Sequence, residues 1–184
     1  MNGKRVIHIT QTAVMLALLI AAQIVTRSLG QFITGSLVNM ILLISVFMIG
    51  RGGGLAVALV SPFLAFFLGV GPVFIQIVPF IAVGNAILVF IAGFFRKNII
   101  RPGNKDRIIT AIGLAAAGVV KVVFLWIGVV IILLPFIPGI KSQQVTAMSF
   151  MFSWPQIVTA LIGILLTMII VPLLRRAVKS FGEL

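Results

Sequence analysis

The chain has no cysteine and no tyrosine, a single histidine, and only two acidic residues, Asp106 and Glu183, in 184 positions. Without cysteine there is no disulfide, no thiolate nucleophile and no thiolate metal site. His8 sits at the edge of the first apolar stretch, and no acidic pair or Ser–His arrangement falls at membrane depth. Hydrolysis inside a membrane therefore has no evident catalyst, and neither an enzyme nor a metal site is expected. The glycines at Gly52–Gly54 do not form a GxxxxGK[ST] phosphate loop. No cofactor is expected in this chain, and any use of ATP must reside on another polypeptide.

Charge of either sign is scarce: 9% of the residues are charged and 61% are hydrophobic, with a mean hydropathy of +1.32. A soluble fold of this size would need charged side chains over its core. Here the apolar residues run long enough to cross a hydrocarbon layer of roughly 30 Å as helices of about 20 residues. Backbone polar groups in lipid must be satisfied within a helix or a closed barrel. Continuous rather than alternating runs, such as Ile108–Leu134, select helices.

Six apolar segments are marked off by Gly, Pro and charge: Ile9–Leu29, Ser36–Ile49, Gly53–Leu68, Val73–Phe95, Ile108–Leu134 and Phe152–Ala177. The expected fold is an all-α integral membrane protein, a single domain over residues 1–184, with six transmembrane helices in a compact bundle. The second and third segments, separated by Gly50–Gly54, are expected to form a tight hairpin. The longest loops are expected at Arg96–Arg107 and Pro135–Met151. The first segment follows Lys4 and Arg5 but is longer than a signal core and lacks a small-residue cleavage site, so it reads as a retained helix.

The net charge of +12 carries its meaning in its placement. With six spans, one side holds both termini, Arg51 and the Arg96–Arg107 segment. That side collects Lys4, Arg5, Arg51, Arg96, Lys97, Arg101, Lys105, Arg107, Arg175, Arg176 and Lys179. Only Arg27, Lys121 and Lys141 fall elsewhere. By the positive-inside rule both termini are expected to be cytoplasmic. The basic segment reads as a topogenic loop facing anionic lipid, not as a nucleic-acid site.

Lys121 is the costly residue. It stands 14 residues past Arg107, about 21 Å along a helix, where a lysine costs on the order of 2.5–3.5 kcal/mol to insert. No span holds an acidic partner for it. A bound anion, carbonyl oxygens, or loss of its own proton could each resolve the charge. Arg27 ends the first helix one turn after Gln23, on the same face, and suits either a carboxylate fork or an interfacial anchor. Further polar residues at membrane depth are Asn39, Gln76, Asn85 and Gln156, with Trp126 and Trp154 as stacking surfaces. Amides both donate and accept, which fits a heterocycle or an amide-bearing solute, although they also tie helices together. Gln23, Arg27, Asn39, Gln76, Trp154 and Gln156 all fall toward the outer side. That is the pattern of a pocket open to the outside.

Ala13-Val14-Met15-Leu16-Ala17 is an AxxxA element near the start of the first helix, and is followed by Gly35–Asn39 and the Gly/Arg hairpin at Gly50–Gly54. Together with the length, span count and orientation, these resemble the S components, the substrate-binding subunits of energy-coupling factor (ECF) transporters. The resemblance implies a vitamin-uptake protein of the ABC-importer class in the cell (cytoplasmic) membrane. It implies docking through Ala13 and Ala17, extended by Ala21, onto a transmembrane coupling subunit (EcfT-like) bound to two cytoplasmic ATPases (EcfA-like and EcfA′-like). It also implies toppling of the whole subunit to carry the pocket inward. Gln23 lies about 120° around the helix from Ala17 at about 100° per residue, so docking and binding can use different faces.

A cationic vitamin such as thiamine would want acidic or densely aromatic walls, and the spans contain no Asp, Glu or Tyr. Lys121 and Arg27 favour an anion. Pantothenate, with a carboxylate, an amide and hydroxyls, is the first expectation. Niacin, lipoate, hydroxymethylpyrimidine and pyridoxine stay open, as do the other classes, an autonomous channel or facilitator and a non-catalytic assembly subunit. No nucleic acid is expected as a partner.

Overall fold

A computed structural model describes residues 3–100 and 104–181. Arg101 and Glu183 lie outside those residues. Among the described residues every regular element is helical: α1 (Gly3–Thr26), α2 (Gln31–Met48), α3 (Arg51–Phe67), α4 (Val78–Ala92), α5 (Arg96–Ile100), α6 (Asn104–Leu125), α7 (Ser142–Met151) and α8 (Trp154–Phe181). Each of the six apolar segments contributes a long helix. Five helical stretches are long and apolar enough to cross a membrane: Arg5–Leu29, Gln31–Met48, Ile75–Ile99, Lys105–Phe136 and Ser142–Ala177. The sixth apolar helix, α3, has 17 residues and spans about 26 Å.

Three expectations about the connections need correction. The segment Arg96–Arg107 is not a plain loop, because α5 follows α4 through a 3-10 turn at Gly93–Phe95 and α6 already begins at Asn104. Pro135–Met151 contains α7. Gly52–Gly54 form the first turn of α3, so the hairpin narrows to Ile49 and Gly50, with Gly50 at φ 109°. Gly54 is inside the helix for steric reasons: a Cβ there would lie 2.9 Å from the Val46 backbone, so glycine lets α3 lie against α2.

The bundle is organised around α2, which packs against α1, α3, α4 and α8. Its residues Ile41–Phe47 are buried without a break, and a helix that is apolar all round must be surrounded. Its C-terminal carbonyls are capped by side chains from two other elements. Arg96 Nε and Arg175 Nη2 both donate to the Phe47 carbonyl, at 3.1 and 3.0 Å. Arg96 Nη2 also donates to the Met48 carbonyl at 3.4 Å. Two cations here complement the negative end of the helix dipole. Arg51, at the start of α3, lies over the Phe94 ring at 4.1 Å. Three of the arginines grouped by sequence are therefore together at one end of the bundle.

Candidate ligand-binding site

The other end holds a cavity of about 450 Å³, within the range of small-molecule sites. Its walls come from the last turn of α1, the first half of α2, the last turns of α3, the start of α4, the last turns of α6, the end of α7 and the start of α8. The helices thus alternate in direction, with the ends remote from the arginine cluster surrounding the cavity. Exposed Arg27, Gly30 and Met151 line its mouth, and buried Asn39, Asn85 and Lys121 line its depth.

Lys121 lies midway along the Lys105–Phe136 span and is only 4% exposed. Its Nζ donates to Asn39 Oδ1 at 2.6 Å. Asn39 is held by its own surroundings, since its Nδ2 approaches Thr159 Oγ1 at 3.4 Å. The Thr159 hydroxyl donates in turn to the Gln156 carbonyl at 3.0 Å. Close packing of α2 on α8 makes this chain possible. A Cβ added at Gly163 would sit 2.7 Å from Asn39 Cβ and 2.9 Å from the Ser36 carbonyl oxygen, so only glycine fits where α8 crosses α2. An ammonium has three donors, and the Asn39 amide takes one, so the cavity side of Lys121 keeps donors for a guest.

Other polar groups on the wall lack protein partners. Ser61 and Asn85 are both buried and line the cavity, and among the described residues neither side chain makes a hydrogen bond to protein. Gln23 Oε1 is buried without a partner, and Gln23 lines the same cavity. A buried polar atom left unpaired costs about 1–3 kcal/mol. Ser61 and Asn85 thus bring hydrogen-bonding capacity to the wall of the hollow that a guest can use. Arg27 at the mouth adds a second cation.

Of the sequence candidates, Lys121, Arg27, Gln23, Asn39, Asn85 and Gln156 share this cavity, while Gln76, Trp126 and Trp154 do not line it. Trp126 is five residues past Lys121, about 140° around the helix at about 100° per residue, and is 44% exposed. Trp154 is 54% exposed and packs instead against Phe32, tilted, and Phe150, edge to face, at 5.9 and 5.6 Å between centroids. Gln76 faces outward beside buried Ile77 in the 3-10 turn that precedes α4.

Sequence reasoning missed Gln31, Thr34, Ser61, Met148 and Phe152. Gln31 Nε2 donates to the Met151 carbonyl at 2.7 Å, fastening α7 over the mouth. Met148 and Phe152 share one helical face by their spacing of four, a signal hidden when that stretch is read as a loop. The π-helical turns Trp126–Leu133 that continue α6 carried no sequence signal.

A multi-pass helical membrane protein, with a polar-lined hollow at one end and arginines capping α2 at the other, has the build of a solute-binding membrane subunit. The chain belongs to the family described as the substrate-specific component of ECF transporters, whose family model matches residues 11–175. No curated protein and no solved structure matches the chain.

Proposed function

We propose that this chain captures a small, carboxylate-bearing vitamin from outside the cell, with pantothenate as the first choice, and has no catalysis of its own. The observation that carries this reading is the buried Lys121 side-chain nitrogen on the cavity wall, paired to a neutral amide rather than to a carboxylate side chain. A guest carboxylate at Lys121 would supply the missing counter-charge. Gln23, Ser61 and Asn85 then offer hydrogen bonds to the hydroxyls and amide of the same molecule. Arg27 at the mouth draws an anion in.

The chain crosses the cell membrane six times in this reading, with α3 as the shortest span and both termini on the cytoplasmic side. The support is the meeting of Arg51, Arg96 and Arg175 at the end opposite the cavity. Ala13, Ala17 and Ala21 are all exposed on α1 while Gln23 turns to the cavity. That stripe docks on the EcfT-like coupling subunit, and the two ATPases bound there supply the energy. A facilitator would need a polar path past α2, whose inner half is buried and apolar from Ile41 to Phe47 apart from Ser45.

Mass spectrometry of the small molecule that co-purifies with the full chain tests the reading. A carboxylate vitamin supports it. A neutral or cationic molecule as sole occupant, bound equally well after Lys121→Met, would overturn it. Niacin, lipoate, hydroxymethylpyrimidine and pyridoxine form the comparison panel.

A further inference from the structure

A second hollow, of about 390 Å³, lies at the arginine end between α5, α6 and α8. Arg107 and Arg176 stand on it, and apolar side chains including Ile99, Met168 and Leu173 form its walls. Neither arginine takes part in capping α2 or in the ligand cavity. We propose that this hollow seats one anionic phospholipid, its phosphate held between Arg107 and Arg176 and an acyl chain lying along α8.

The arrangement follows the order of a lipid. Arg176 is eight residues beyond Met168 on α8, about 12 Å along the helix, so the cations sit at one edge and the apolar wall runs from there toward the middle of the bundle. A free phosphate would occupy only the charged edge and leave that wall empty. Ile169 and Leu173 border the hollow and are 54% and 57% exposed, so it opens sideways, toward the bilayer. Pro172 also borders it. Inside α8 a proline removes the hydrogen bond to the carbonyl four residues back, that of Met168, and pushes the helix away there. Among the described residues no acidic side chain lines the hollow. Two guanidiniums on one hollow select a headgroup with net negative charge over a zwitterionic one.

Native mass spectrometry of the full chain in detergent tests this directly, using phosphatidylglycerol and phosphatidylcholine with identical acyl chains. One retained phosphatidylglycerol per chain is expected, with little phosphatidylcholine. Arg107→Gln with Arg176→Gln should lower the retained fraction about tenfold or more, as two basic contacts near an anionic headgroup are lost. The corresponding double lysine variant should keep most of it. Arg5→Gln, outside the hollow, should change nothing. Should the double glutamine variant fail to fold, Leu173→Trp fills the hollow while keeping both arginines and should also expel the lipid. Equal retention of the two lipids, retention unchanged in the glutamine and tryptophan variants, or displacement by inorganic phosphate alone would each overturn the proposal.

Discussion

Lys121 on α6 and Asn39 on α2 are 82 residues apart in sequence, and their Nζ and Oδ1 meet at 2.6 Å. Asn39 is 2% exposed and Lys121 4%, so the lysine at mid-bundle is held by the dipole of a neutral amide. A charge–dipole contact is weaker than an ion pair in a medium of low dielectric. In the proposed function, this leaves Lys121 open to an anion that a salt-bridged lysine would no longer attract.

The position of Asn39 depends on Gly163. Gly163→Val would force α8 away from α2, and overpacking of this kind costs about 1–3 kcal/mol. The melting temperature in detergent should fall, and ligand affinity should drop roughly tenfold for each 1.4 kcal/mol lost. Gly52→Ala, where an added Cβ meets nothing within 4 Å, should leave both unchanged or raise stability slightly.

Arg96 and Arg175 share the Phe47 carbonyl as acceptor. Removing one donor leaves that carbonyl satisfied, whereas removing both leaves it orphaned, at a cost of about 1–3 kcal/mol. Arg96→Gln and Arg175→Gln should each lower stability modestly, and the double variant should cost more than the sum. Thermal melts of the four proteins measure that coupling. Ligand affinity should hold throughout, since the cavity lies at the other end.

Arg27 is exposed at the mouth of the cavity, where a charge governs encounter more than residence. Arg27→Gln should slow association of an anionic vitamin several-fold at low salt, and the difference should shrink by physiological ionic strength. Stopped-flow binding at two salt concentrations reads this. A change confined to the dissociation rate would place Arg27 in the bound complex instead.

Ala17 is exposed on the outer face of α1. Ala17→Trp should leave ligand affinity in detergent intact and abolish uptake into cells or proteoliposomes containing the coupling module. Lost ligand affinity with normal assembly of the complex with the coupling module would contradict separate docking and binding faces.

Much of this architecture was readable because the bilayer leaves few options. The apolar runs gave the long helices, and the placement of arginines anticipated the meeting of Arg51, Arg96 and Arg175 at one end. Lys121 stood out because a lysine in the middle of a span needs a reason. What escaped was geometry that depends on winding and close approach. Trp126 and Trp154 look like ligand-stacking groups from composition, yet their helical phase turns them outward. Met148 and Phe152 were hidden in a stretch whose polar residues and glycine read as a loop, and whose helix is fastened by Gln31, more than 100 positions away in sequence. Gly163 resembles any other membrane glycine until Asn39 is seen against it.

The central claim is that Lys121 meets a carboxylate brought in by the ligand. Calorimetric titration of the wild type and of Lys121→Met, with pantothenate and with its carboxamide, measures it most directly. The wild type should prefer the carboxylate, and the substitution should weaken the carboxylate by about 10- to 100-fold, as for a lost charged hydrogen bond of about 1.5–3 kcal/mol, while hardly changing the amide. Equal losses for both ligands, or none for either, would contradict it.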